Sequence, residues 1–254
     1  MKTPLITVVT ICKNDLPGLM KTVKSLGNKL RDDLLQWIVV DGFSNDGTKE
    51  YLERLRTEHE FETIFSKKHI FGSMNDGLAI ARGPIIIFMN SGDSFYDEDV
   101  ISEIVESYNQ NNWVWAVGQA NGVNSDGNFL WHWPLPKHNA YRFKFGFRSF
   151  CHQATVVQTQ VLRNLGGYYE DSIFSDWGAT LLLSKKVEPF VHKSIWCNYL
   201  AGGVSSKVTA NFWANENTKL RIALGIPLFG SKKVDRLLIP LMEYLYRKKY
   251  SKFT

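Results

Sequence analysis

The sequence predicts an α/β fold built on a mostly parallel sheet with flanking helices, and three observations carry that reading. Short apolar, β-branched runs alternate with segments of helical periodicity through the first hundred residues, the pattern of strand–helix–strand crossovers. The runs lack the in-out alternation of a half-exposed sheet, so each reads as a strand buried on both faces. Three of them stop abruptly at polar residues: Thr10 to Asn14, Asp41, and Asn90 to Asp93. The carboxyl ends of such strands are where open α/β sheets hold ligands.

Taken in order, LITVVTI (5–11) is the first strand, and DLPGLMKTVKSL supplies a helix through Leu19, Val23 and Leu26. QWIVVDG is a second buried strand ending at Asp41. In SNDGTKEYLERLR, Asn45, Asp46, Gly47 and Thr48 suit a turn and helix start ahead of Tyr51, Leu52 and Leu55. A shorter strand spans Phe61 to Phe65. SMNDGLAIA is a helix with Leu78 and Ile80, and Arg82-Gly83-Pro84 turns the chain into IIIFMNSGDSF, the fourth strand with its polar end. Past residue 110 the texture changes. VWAVGQANGV and GNFLWHWPLP read as antiparallel strands in a segment rich in aromatic residues, the composition of a binding wall. TQVLRNLGGY and DWGATLLLSKK return to helix, and AGGVSSK is a loop before an amphipathic C-terminal segment in which Pro240 introduces a kink. The expected organisation is one domain over 1–230, in two halves (1–100 and 101–230), followed by a basic amphipathic segment over 231–254.

Composition narrows the function. Of the formal net charge of +5, all is accounted for by residues 231–254, which carry seven Lys/Arg against two acids. The body is balanced, so a nucleic-acid-binding surface is disfavoured. Cys12, Cys151 and Cys197 are odd in number, far apart and without C-x-x-C spacing, which argues against a disulfide framework or a zinc site and suits a reducing cytoplasm. The opening MKTPLITVVTICKND has no small-residue cleavage site after its apolar run and reads as a strand rather than a signal segment. No run of the roughly 18 to 20 apolar residues needed to span a bilayer occurs. Neither G-x-G-x-x-G nor G-x-x-x-x-G-K-[ST] follows the first strand, so dinucleotide and P-loop chemistry are unsupported.

Three quoted stretches, TVVTICKND, WIVVDGFSNDGT and MNDGLAIARGPIIIFMNSGD, resemble the nucleotide-binding half of family 2 glycosyltransferases of the GT-A fold. The resemblance implies a nucleotide-sugar site formed by Thr10, Cys12, Asn14, Asp41, Asn75, Asn90, Ser91 and Asp93, with Asp41 on the nucleoside base. It also implies a divalent cation, Mn²⁺ or Mg²⁺, on the donor diphosphate. The family's D-x-D element departs here from its name. Its first acid is Asn90, its middle one Gly92, and only Asp93 remains as the metal ligand. One carboxylate with waters and phosphate oxygens is compatible with such an ion. FCHQATVV, LGGYYEDSIFSDWGATLLL and AGGVSSK resemble the acceptor side, which places the catalytic base at Asp176, with Asp171 as the fallback. His152 and Trp177 are candidate acceptor contacts. Trp131, Trp133 and Trp196 are further candidate stacking faces, and Lys68 or His69 a phosphate contact.

What the resemblance implies as activity is inverting transfer of a hexose from a UDP-sugar, UDP-glucose or UDP-galactose. The expected acceptor is a saccharide on a polyprenyl diphosphate at the cytoplasmic membrane face, as in O-antigen or capsule assembly. A β-linkage would result. The amphipathic tail is expected to lie on anionic lipid. Two other readings compete: a sugar-phosphate nucleotidyltransferase, disfavoured because TICKNDLPG offers one Gly and one Lys rather than a Gly-rich basic loop, and a non-catalytic carbohydrate-binding member of the fold.

Overall fold

In a computed structural model of the chain, residues 3–31, 34–133, 143, 145–146, 150–203 and 208–250 are described. The N-terminal half is a parallel sheet of β1 (Ile6–Cys12), β2 (Leu35–Asp41), β3 (Glu62–Phe65) and β4 (Ile85–Phe88) in the order β3-β2-β1-β4. Helices α1 (Leu16–Leu26), α2 (Thr48–Leu55) and α3 (Ile70–Ile80) make the crossovers. Asp15 caps α1 by accepting from the Gly18 N–H, with proline in the first turn. The Asp46 carboxylate accepts from the Thr48 N–H and hydroxyl at the start of α2.

The apolar runs are explained by packing on both faces. Val8, Val39, Ile85 and Ile87 join Leu19, Val23 and Leu26 of α1 in one core, whereas Val9, Ile38, Val40, Ile86 and Phe88 join Met74 and Leu78 of α3 in another. Burial of each such aliphatic side chain contributes about 1.5–3 kcal/mol. From β1 the chain builds outward through β2 and β3 and then returns to the opposite flank for β4. The crevice between the β1 and β4 ends is therefore the topological switch point.

The second half extends the same sheet. Its elements are β5 (Ser94–Phe95), α4 (Val100–Asn111), β6 (Trp115–Val123), β7 (Phe129–Trp133), β8 (Thr155–Gln158), α5 (Thr159–Asn164), α6 (Ser175–Ser184), β9 (Phe190–Leu200) and α7 (Ala210–Ala223). β8 lies antiparallel between β4 and β6, β9 runs parallel to β6, and β5 and β7 pair antiparallel with β9 and β6. The expected antiparallel pair is β6 and β7. β8, β9 and α7 carry no clear signal in the sequence, because FVHKSIWCNYL and ANFWANENTKLRIA mix polar and aromatic residues without a clean period.

The tail forms α8 (Lys232–Leu237) and α9 (Ile239–Tyr250). Pro240 sits in the first turn of α9, so the segment is broken into two helices at Leu238 rather than kinked. Met242 of α9 packs with Trp213 and Ala214 of α7 in a small third core, and Tyr246 stacks on Trp213 with ring centroids 4.6 Å apart. One face of the tail is thus docked on the body. Among the described residues no helix is long and apolar enough to cross a membrane.

Candidate active site

The polar end of β4 is made by a tight turn. The Ser91 N–H bonds the Ile11 carbonyl as a continuation of the strand ladder, and the Asp93 N–H returns to the Asn90 carbonyl through Gly92 at φ 91°. The Asp93 carboxylate, only 4% exposed, accepts from the Leu200 N–H at 2.8 Å and from the Gln153 side chain. Burial pushes its pKa up to about 7, opposed by those two hydrogen bonds and the charge of Lys21, while Asp15 adds to the rise. Beside it, the Asn90 Oδ1 is buried and has no hydrogen-bond partner.

These residues line a cleft of about 1570 Å³, which also takes in Cys12, Asp15, Ser91, Lys68 and His69 from the N-terminal half and His152, Trp177 and Asp176 from the other. Pockets for one small ligand are usually roughly 300–1,000 Å³, so this cleft is larger than one such ligand requires. Asp176, in the first turn of α6, is open only partly to the cleft, and burial pushes its pKa up to about 6. A carboxyl tuned into that range can exchange a proton near neutral pH. Asp171 also lines the cleft but is exposed.

His152 is half-buried at the cleft wall, stacked on Phe88 and bonded through Nε2 to the Tyr168 hydroxyl at 2.8 Å. Burial lowers its pKa to about 4, so it meets a ligand as a neutral imidazole and not as a phosphate-binding cation. Trp177 is 6% exposed, donates from its ring nitrogen to the Phe143 carbonyl, and carries the Arg221 guanidinium over its face at 4.8 Å. Trp133 lines the cleft, Trp131 is 41% exposed against Gly122, and Trp196 is core.

Four expected nucleotide contacts do not line the cleft. Thr10 is fully buried and accepts from the Trp37 ring nitrogen at 3.0 Å, because alternation along β1 turns it toward the α1 core. Asn14 accepts from the Asn45 N–H, binding the β1 loop to the β2 loop. Asp41 is 1% exposed and its carboxylate is taken up by the backbone N–H and hydroxyl of Ser44, a local turn bond that competes with a ligand role. Asn75 bonds the backbone N–H and carbonyl of Tyr168 with its amide, so it fastens the acceptor-side loop to α3. Cys12, Asn90, Ser91 and Asp93 are brought together as expected. Sequence reasoning missed Gln153 and Asp15. The N-cap pattern Asp-Leu-Pro at the end of β1 was the available signal for Asp15.

Among the described residues no group of three or more His, Cys, Asp or Glu gathers as a metal site. A divalent cation nevertheless fits the β4 turn. The unpartnered Asn90 oxygen beside the buried Asp93 acid is an oxygen-only donor set, and Mg²⁺-like ions need one or two carboxylates when substrate phosphates complete the shell.

Asp93 and Asp176 reach one cleft from opposite halves of an α/β sheet flanked by helices, at the switch point where open α/β sheets hold ligands. Residues 7–164 match the family model "Glycosyl transferase family 2", and the chain belongs to that family. It is a nucleotide-sugar glycosyltransferase, which sets aside the nucleotidyltransferase and non-catalytic readings. Two Mycobacterium tuberculosis proteins, each described as an uncharacterized glycosyltransferase, are 29% identical over 207 residues, covering 80% of this chain and 78% of theirs. The fold is similar to that of S. aureus TarS in complex with UDP-GlcNAc (TM-score 0.70, 13% identity, 97% of this chain and 72% of that one). It is also similar to the mannosyltransferase PcManGT from Pyrobaculum calidifontis in complex with GDP-Man and Mn²⁺ (TM-score 0.62, 15% identity, 99% and 76%). The GT-A architecture is thereby established.

Proposed function

We propose that the chain is an inverting, metal-dependent hexosyltransferase that uses a UDP-sugar, UDP-glucose or UDP-galactose, and forms a β-linkage on a lipid-diphosphate-linked saccharide. The assembly of an O-antigen or capsule at the cytoplasmic membrane face is the setting. The observation that carries this reading is the placement of Asp93 and Asp176 on one cleft from opposite halves of the chain. Asn90, Ser91 and Asp93 would hold the donor diphosphate through a Mn²⁺ or Mg²⁺ ion, which when bound supplies charge neutralisation for the departing nucleotide. Asp176 accepts the proton of the attacking hydroxyl. The buried Tyr168 and neutral His152 keep the wall beneath it dry and uncharged. Trp177 offers an apolar edge to the sugar.

The tail supports a membrane setting. Leu237 at the end of α8, and Leu241 and Tyr244 three residues apart on α9, are 79%, 48% and 60% exposed, and Lys232, Lys233, Arg236 and Lys248 flank them. An apolar stripe with a basic margin suits an anionic lipid surface. The test of the whole reading is a panel of nucleotide sugars assayed for UDP or GDP release, with and without Mn²⁺ and with lipid-linked and free saccharide acceptors. UDP-hexoses with metal and the lipid-linked acceptor should give the highest turnover. Release from GDP-sugars alone would refute the donor, and full turnover in chelator would refute the metal.

A further inference from the structure

The strand end after β4 has one acid where a divalent cation takes one or two, and the fold brings another from a different loop. We propose that Asp15 is the second carboxylate of the cation cradle, in place of an acid that position 92 does not carry. The inference rests on the metal-dependent reading above and adds a residue to it.

Position 92 is set for glycine by its backbone conformation. Gly92 holds φ 91°, and a Cβ there would lie 2.7 Å from Leu200 Cδ2. The same Cβ would lie 3.8 Å from Asp15 Oδ2, so the Asp15 carboxylate borders the space an acid at 92 would enter. The topology explains the meeting. β1 and β4 are adjacent at the switch point, and the loops that follow them converge. The Ser91 hydroxyl donates to Asp15 Oδ2 and also bonds the Asp15 carbonyl at 3.2 Å, which fixes the carboxylate against the turn. Asp15 lines the cleft alongside Asn90 and Asp93. Its Oδ1 accepts from the Gly18 N–H at 3.2 Å. A carboxylate has about four acceptor sites, so capping α1 and receiving Ser91 leave it room for a cation. Asp15, Asp93 and the orphaned Asn90 oxygen thus offer hard oxygen donors at one cleft, and a bound cation would favour the ionised form of both carboxyls.

The capping role and the cation role separate in Asp15→Asn. Asparagine caps a helix about as well as aspartate; with its oxygen on the Gly18 N–H its NH2 faces Ser91 and can donate to that hydroxyl, so the contact is kept with its direction reversed while the charge is lost. Mn²⁺ is titrated into the full-length protein with UDP present. Uptake is followed by loss of the free-ion electron paramagnetic resonance signal, for wild type, Asp15→Asn and Asp93→Asn. Asp15→Asn should weaken Mn²⁺ uptake by about 10- to 100-fold without weakening metal-free UDP binding or lowering the melting temperature. If it takes up Mn²⁺ like wild type while Asp93→Asn does not, Asp15 is a helix cap alone and the donor-site reading stands. Loss of metal-free UDP binding in Asp15→Asn would likewise overturn the cation role. If wild type with UDP takes up no Mn²⁺, the metal-dependent reading and this inference fall together.

Discussion

Replacing Asp176 by Asn keeps the shape of the first turn of α6 and removes the proton acceptor. A positioned base contributes about 10²- to 10⁴-fold to a hydroxyl's attack, so turnover should fall by about that factor while UDP affinity stays near wild type. The elevated pKa makes the wild-type reading testable on its own. With the carboxyl at about 6 instead of the usual 3.8, roughly one molecule in eleven carries an ionised base at pH 5, against more than nine in ten for an ordinary aspartate. Wild-type kcat should therefore drop about tenfold from pH 8 to pH 5. Stability runs the opposite way. The folded protein holds a proton on Asp176 that the unfolded chain releases, so this contribution is intact below about 3.8 and is lost as pH rises through about 6. About two pKa units correspond to a ceiling of about 3 kcal/mol, and Asp176→Asn should raise the melting temperature at pH 8 while leaving it nearly unchanged at pH 4. The assay is UDP release with the best donor–acceptor pair between pH 5 and 8, beside thermal melts at both ends, with Asp171→Asn as the control. A flat wild-type profile down to pH 5, or full turnover in Asp176→Asn, would refute the base assignment; loss in Asp171→Asn alone would move it by five residues.

Asp93→Ala should abolish metal-dependent UDP binding with the fold retained, and Asn90→Ala should weaken it less; calorimetry with UDP and Mn²⁺ reads both, and equal affinity in wild type and Asp93→Ala would remove the donor assignment. Because α9 covers Trp213, deleting the tail would uncover core, so the membrane role is better probed by Leu237→Ser with Leu241→Ser. Flotation with anionic vesicles should decrease in that variant and, for wild type, weaken as salt rises; salt-insensitive, unchanged flotation would rule the role out. Asn75→Ala leaves the Tyr168 backbone without its two side-chain partners and should lower stability by about 1–3 kcal/mol, measured by urea unfolding; a nucleotide-contact role would instead weaken UDP binding with stability intact.

The nucleotide half was legible because strands buried on both faces write themselves as unbroken apolar runs, and the polar residue that ends each run marks the ligand edge. That signal locates the edge of the cleft but not the direction of each side chain. Cys12 and Asp93 line the cleft, whereas Thr10 and Asp41, as near to strand ends, turn to Trp37 and Ser44. Asn14 and Asn75 are polar residues spent on joining loops, a choice decided by what lies thirty or ninety residues away. β8 is a four-residue strand whose face is set by the neighbours it is inserted between, and α7 buries Leu220 in the main core but Trp213 and Ala214 under α9, two directions that blur its period. Asp176 was found through the resemblance. Its acidity, which depends on the rings and strands around it, has no counterpart in the string of residues.

The insertion of β8 between β4 and β6 joins both halves of the chain into one hydrogen-bonded sheet. Among the described residues the sheet runs unbroken from Asp93 to the strands on which α6, the helix of Asp176, packs Trp177 and Leu181, and strand pairing spaces those strands as if by a ruler. Ile86 opposite Val157 is one of its graduations. A slip of one residue there would turn Val156 out of its core and carry Gln153 away from Asp93. Length changes in this chain should accordingly be tolerated at the Asn124–Asn128 hairpin turn, which touches neither substrate wall, and be ruinous within β8.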